Sequence, residues 1–123
     1  MYSRQVLEHF QNTRNVGELP DADAYVRVDN PACGDVLQLS IKLKRGRISE
    51  AKFRARGCVC AIACGSQLTE MIGDLTPAQA QSLRCEDLVK ALGGLPDTSM
   101  HAAALAMEAL TLALRQIAGQ QRT

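Results

Sequence analysis

Leu37, Leu39, Ile41 and Leu43 alternate with Gln38, Ser40 and Lys42. After a glycine-containing turn over Lys44 to Arg47, the pattern resumes with Ala51, Phe53 and Ala55 set against Lys52, Arg54 and Arg56. A period of two gives each segment one apolar and one polar face, so the pair is read as an antiparallel hairpin with one buried face. Ala24 to Val28 alternates over a shorter run and is read as an edge strand. Elsewhere the period is helical. Val6, Leu7 and Phe10 mark an amphipathic helix over Ser3 to Gln11, ending near Asn12-Thr13-Arg14-Asn15 and followed by a turn at Asn15-Val16-Gly17. Gly57 breaks the second hairpin strand, and Ala61 to Ile72 resumes as a helix whose Ile62, Leu68, Met71 and Ile72 face the sheet. Thr76-Pro77-Ala78-Gln79 combines an N-cap, a proline at the first helical position and a capping-box Gln, which predicts a short helix to about Leu83. Glu86 to Leu92 reads as another helix, closed by Gly93-Gly94, and Leu95 to Ser99 as an extended connector. Met100 to Ala118, rich in Ala and Leu on nearly every face, is predicted to be a largely buried helix, with Gly119 to Thr123 frayed.

At 123 residues the chain is read as one domain, 1–123, long enough to bury a core without disulfides or metal as its main support. A metal here is therefore expected to be functional. Lys and Arg number 14 against 13 Asp and Glu, and many of the cations sit on the hairpin, at Lys42, Lys44, Arg45, Arg47, Lys52, Arg54 and Arg56. Alternate placement there implies a solvated sheet face, with a partner-docking face as the sharper reading. Nucleic acid is not expected as a partner, because 3% aromatic residues and no Trp leave few platforms for stacking. The N-terminal Met1-Tyr2-Ser3-Arg4-Gln5 shows no cationic segment leading into an apolar signal core. No stretch is read as approaching the apolar length that spans a bilayer, so a cytoplasmic protein without membrane partners is expected.

The chemistry is concentrated in the cysteines. Four of the five fall in two small-residue turns beside predicted strands, Pro31-Ala32-Cys33-Gly34-Asp35 and Gly57-Cys58-Val59-Cys60-Ala61-Ile62-Ala63-Cys64. An odd number of clustered thiols in a reducing compartment reads as metal-binding or reactive rather than as a disulfide framework. Thiolates favour zinc, copper(I) or iron-sulfur clusters, and Asp35 adds a carboxylate to the Cys33 turn. His101, at the start of the last helix, is a further candidate ligand. Cys58 stands at a strand-to-helix junction, where a positive helix end is expected to lower its thiol pKa. Cys85 has no clustered companion and is read as structural, and His9 as a helix-face residue supporting the Asn15-Val16-Gly17 turn.

These motifs together resemble the iron-sulfur cluster scaffold family of IscU and NifU N-terminal type. The resemblance covers almost the whole chain: Tyr2-Ser3, His9 with Asn12 to Gly17, Pro31-Ala32-Cys33-Gly34-Asp35, Gly57-Cys58 with Ala61-Ile62-Ala63, and Leu95-Pro96 leading to His101, in that family's order. It implies an α+β single domain with a three-stranded antiparallel sheet packed against helices. The implied function is a scaffold that binds a transient [2Fe-2S] cluster or iron near one end, takes sulfur from a cysteine desulfurase and passes the cluster to apo acceptor proteins. By position it implies Cys33 and Cys58 as ligands and sulfur acceptors, Asp35 as the residue that keeps the cluster labile, and His101 as a ligand or ligand neighbour. The chain departs from the pattern where the family has His-Cys and this sequence has His101-Ala102, so the usual third thiolate is missing. Leu95-Pro96-Asp97-Thr98-Ser99 likewise replaces the motif read by the family's dedicated Hsp70-type chaperone, and that partnership is not carried over. Cys60 and Cys64 stand where small residues such as Ser are usual, and either is a candidate to replace the third cysteine. Cys60 is favoured because Cys58-Val59-Cys60 reads as one mobile turn. Two rival readings are a zinc-bound sulfur-acceptor partner of a desulfurase, using Cys33, Asp35, Cys58 and His101, and a divergent metal-binding paralogue without assembly activity.

Overall fold

The computed structural model describes residues 2–32 and 34–121, with the side chains described up to residue 119. Helix α1 (Arg4–Gln11) leads into strands β1 (Ala24–Asn30), β2 (Asp35–Lys44) and β3 (Arg47–Arg56). Helices α2 (Val59–Ile72), α3 (Pro77–Gln81), α4 (Cys85–Ala91) and α5 (Met100–Gln121) follow. The strands form a three-stranded antiparallel sheet in the order β1-β2-β3. Val26, Val28, Leu37, Leu39, Ile41, Ile48, Ala51 and Phe53 turn into the core, where α2 and α5 lie across that face. The expected α+β layering is therefore present, with one shared core drawing side chains from all five α-helices and all three strands.

The hairpin is longer than the alternation indicated. β3 begins at Arg47, and the connecting turn shrinks to Arg45 and Gly46, both at positive φ. The strand register shifts between Lys42 and Leu43, so Ile48 and Ala51 both point inward with two exposed residues, Ser49 and Glu50, between them. A bulge of this kind breaks the period of two and hides the first part of the strand from a pattern search. The predicted extended connector instead winds into a 3-10 turn over Asp97–Ser99 that feeds α5. α5 itself runs on to Gln121, so the fraying expected from Gly119 is not seen there, while residues 122 and 123 lie outside the described residues.

α5 also corrects the expectation about apolar length. Asp97–Gly119 is long and apolar enough to cross a membrane by length and composition, with a mean hydropathy of 1.2. Its Ala102, Ala103, Ala106, Ala109, Leu110, Ala113 and Ile117 are buried in the core of this fold, in the helix that packs on β1, β2 and α2. Small side chains let the helix approach the sheet closely, and that same composition raises its hydropathy.

The two sheet edges are finished differently. At β3 the chain folds back on itself. Phe53 exchanges backbone hydrogen bonds with Asn15 and Gly17, each 2.9 Å, and Ile48 with Asp74 and Leu75, each 2.8 Å. At β1 the Gln116 side chain of α5 accepts from the Tyr25 N–H at 3.0 Å and donates to its C=O at 2.9 Å. α1 is pinned by Ser3, which caps its first turn through Val6 N–H and donates to the Leu92 carbonyl at the end of α4.

Candidate metal centre

The N-terminal end of β2, the β3–α2 junction and the start of α5 meet at one end of the sheet. Asp35 opens β2 opposite Asn30 and is only 3% exposed. Gly57 follows β3 at φ +147° and lets the carboxylate lie against the backbone, since a Cβ on Gly57 would stand 2.1 Å from Asp35 Oδ1. Cys58 is the N-cap of α2, and its Sγ accepts the Ala61 N–H at 3.4 Å. Asp35 then accepts from Cys58 twice, from its N–H at 3.4 Å and its Sγ at 3.5 Å, while His101 Nε2 lies 3.2 Å from Asp35 Oδ2. One ligand atom from each of Asp35, Cys58 and His101 falls within 4.8 Å of the others.

This spacing suits a single soft ion. Tetrahedral zinc with bonds of about 2.0–2.3 Å sets its donors about 3.3–3.8 Å apart, and the Asp35–Cys58 and Asp35–His101 separations are already close to that. The donor set mixes thiol, carboxylate and imidazole, a combination open to zinc and iron alike.

The expectation of a lowered Cys58 pKa is overturned. The Ala61 N–H does favour the thiolate, but burial weighs more, and the neighbouring Asp35 charge adds to it, so the thiol is held above its usual range. A helix N-terminus offers its advantage only to the extent that the anion there stays solvated or compensated, and here the nearest charge has the same sign.

The predicted site residues separate into those the fold brings together and those it does not. Asp35, Cys58 and His101 are brought together. Cys33 lies outside the described residues; in sequence it stands two positions before Asp35. Cys60 does not lie in a mobile turn: α2 begins at Val59, and Cys60 is fully buried in its first turn. The reason is that Cys58 acts as the cap, a role that cysteine does not advertise in a sequence, so the helix starts two residues earlier than its apolar pattern. Cys64, one turn on, is also fully buried, and burial pushes its thiol far above the usual range. Ala102, where the family pattern has its third cysteine, is a fully buried core residue. Cys85 opens α4, packed against the core as a structural residue would be.

His9 supports the turn that follows α1, and does so from inside. It is 5% exposed, its Nδ1 is 2.7 Å from Ser66 Oγ, and that same oxygen accepts the Arg14 N–H at 3.0 Å. Sequence reasoning missed the Gly57 cradle. Its signal was present as a glycine directly before the site cysteine, read only as a strand break.

The chain is thus a small α+β domain with a thiol, a carboxylate and an imidazole gathered at one end of its sheet as a candidate metal centre. The model of the NifU-like N terminal domain matches residues 1–123, and the chain belongs to that family. It is 46% identical over 114 residues to the iron-sulfur cluster assembly scaffold protein IscU 1 of Archaeoglobus fulgidus, covering 93% of this chain and 74% of the relative. It is 39% identical over 118 residues to the scaffold protein IscU of Azotobacter vinelandii, covering 93% and 91%. Among solved structures, the N-terminal NifU-like protein of Brucella abortus superposes with a TM-score of 0.78 at 18% identity, covering 95% of this chain and 94% of that one. The SUF-system protein of Fervidobacterium islandicum gives 0.77 at 20% identity, covering 92% and 96%. At those identities the likeness concerns the fold, and it agrees with the expected sheet and helix arrangement.

Proposed function

We propose that this chain is an iron-sulfur cluster assembly scaffold: it receives iron and, from a cysteine desulfurase, persulfide sulfur that an external electron donor reduces to sulfide, holds them as a transient [2Fe-2S] cluster and releases the cluster to apo acceptor proteins. The observation that carries this reading is the convergence of Asp35, Cys58 and His101 at one end of the sheet. The names of the relatives support it. The cluster is cargo, and the chain acts as a binding and transfer protein.

A two-iron core has four terminal positions, and the proposed set is Cys33, Asp35, Cys58 and His101. Cys60 and Cys64 are not needed, and their place in the helix core gives no support for a ligand role. Cys58 must lose its proton to bind iron or to attack a persulfide, an attack that releases the desulfurase thiolate; Asp35, 3.5 Å from its sulfur, would pass that proton on to solvent before it ligates iron itself. A carboxylate is a hard ligand on a soft cluster, so Asp35 is the weak member of the set and favours release.

A second reading has its own observation. Asp35, Cys58 and His101 lie at nearly the spacing of three donors on tetrahedral zinc, and with Cys33 taken as the fourth they suit a zinc-bound sulfur acceptor working with a desulfurase. Anaerobic reconstitution with ferrous iron and sulfide, followed by visible and Mössbauer spectroscopy, separates the two. A scaffold takes up iron and sulfide in equal amounts and loses them in Cys33→Ser and Cys58→Ser. Failure to take up sulfide while binding zinc stoichiometrically refutes the scaffold and supports the zinc reading.

A further inference from the structure

Gln116 does more than cover part of an edge: it fixes the parity of β1. In an antiparallel strand successive residues turn their N–H and C=O to opposite sides. Tyr25 gives both groups to Gln116, away from β2, so Arg27 and Asp29 turn theirs outward too, while Val26 and Val28 turn theirs to β2. The β3 edge is met by backbone near both of its ends. The middle of β1 has the form that accepts another strand.

We propose that the strand it accepts is β1 of a second copy, antiparallel about a two-fold axis at Val28. Parity and charge select this register. Hydrogen-bonded pairs across the seam must join outward-facing residues. An axis at Arg27 sets that residue against its own copy, and an axis at Asp29 does the same with a negative charge, both unfavourable. An axis at Val26 engages Tyr25, which Gln116 already occupies. With the axis at Val28, Arg27 faces the other copy's Asp29, and the pair repeats on the far side of the axis. Both side chains are about half exposed and already pair within the strand, Arg27 Nε to Asp29 Oδ1 at 3.1 Å, so the same charges re-pair across the seam. The flanking helix repeats the opposition: Arg115 borders the groove at Arg27 and Glu108 the groove at Asp29.

The isologous seam joins two three-stranded sheets into one continuous sheet. Asn30, the partner of Asp35, lies two residues from Val28. The two metal centres therefore sit about 13 Å apart along the strand direction, at about 3.3 Å per residue. The dimer does not depend on what the centre binds.

The test is sedimentation velocity of the full chain from micromolar to sub-millimolar concentration, for wild type, Arg27→Glu and Asp29→Arg. Wild type is expected to self-associate. Each single charge reversal sets like charges across the seam twice and is expected to weaken association at least about tenfold. An equimolar mixture of the two variants is expected to recover it as a heterodimer, because the introduced glutamate of one then faces the introduced arginine of the other. Amide exchange at Arg27 and Asp29 slows with concentration in wild type alone. A wild type that stays monomeric throughout, a dimer indifferent to both reversals, or a mixture that fails to recover association overturns the proposal. Circular dichroism, unchanged at these exposed positions, excludes misfolding as the cause.

Discussion

Replacing Gly57 with alanine tests the centre through a residue that offers it no ligand. The added Cβ would lie 2.1 Å from Asp35 Oδ1, 2.5 Å from its Cγ and 3.1 Å from its Cβ. Ordinary non-bonded carbon contacts are about 3.5 Å, so the carboxylate must retreat by more than about 1 Å. That retreat breaks its contacts with Cys58 N–H, Cys58 Sγ and His101 together. At 3.2–3.5 Å these three contacts are long, so together they are worth about 2 kcal/mol, and forcing a side chain to φ +147° costs about 1–3 kcal/mol. Gly57→Ala is therefore expected to lose about 3–5 kcal/mol of stability. A residue that holds a ligand in place typically matters about 10–100-fold for metal affinity, and a loss in that range is expected. Gly34→Ala is the control: Gly34 also has positive φ, +77°, but nothing lies within 4 Å of its Cβ position, so the substitution carries the backbone cost of about 1 kcal/mol alone. Urea denaturation measures the first quantity, and optical titration with cobalt(II), whose thiolate bands report cysteine ligation at the centre, the second. Equal midpoints and equal cobalt affinities for the two variants would refute the cradle.

Two further outcomes follow from the core. Gly65→Ala in α2 would place a Cβ 2.4 Å from the Phe53 ring, an overpacking expected to cost about 1–3 kcal/mol in urea denaturation and to be relieved by the smaller ring substitute in Phe53→Leu. Cys64 holds its proton in the folded state far above the usual thiol pKa, because burial disfavours the thiolate. Its contribution is fully present below the unfolded pKa and is lost as pH rises above it, at up to about 1.4 kcal/mol per pH unit. Cys64→Ala should flatten the fall in stability measured by urea titration above about pH 8.5, and an unchanged slope counts against the assignment.

The period-two alternation of Leu37 to Leu43 and of Ala51 to Ala55 was legible because one face of the hairpin is apolar and turned into the core and the other is polar. Arg47 to Glu50 was not, because a register shift puts two exposed residues between Ile48 and Ala51. Asp35 and Cys58 were legible as a pair because each stands beside a strand end, and His101 because it stands at the start of a helix. The helical state of Cys60 was hidden by a cap formed from a sulfur, and the raised Cys58 pKa by burial under the fold and then by an acid that is distant in sequence but adjacent in space. The length of β1 beyond Val28 was missed because Asp29 and Asn30 have low strand propensity, although both pair with β2. Local preference yielded there to the ladder.

Ala102 bears on how reversible this chain's departure from its family is. The methyl group there is fully enclosed, one position along α5 from a histidine that faces the centre. Protein interiors are packed to crystal-like density, and adding even one heavy atom to such a position commonly costs 1–3 kcal/mol. A return from alanine to cysteine is thus a problem of volume before it is one of coordination. A thiol at this position would be enclosed by the interior, and the neighbouring side chains would have to make room before any sulfur placed there reached a metal.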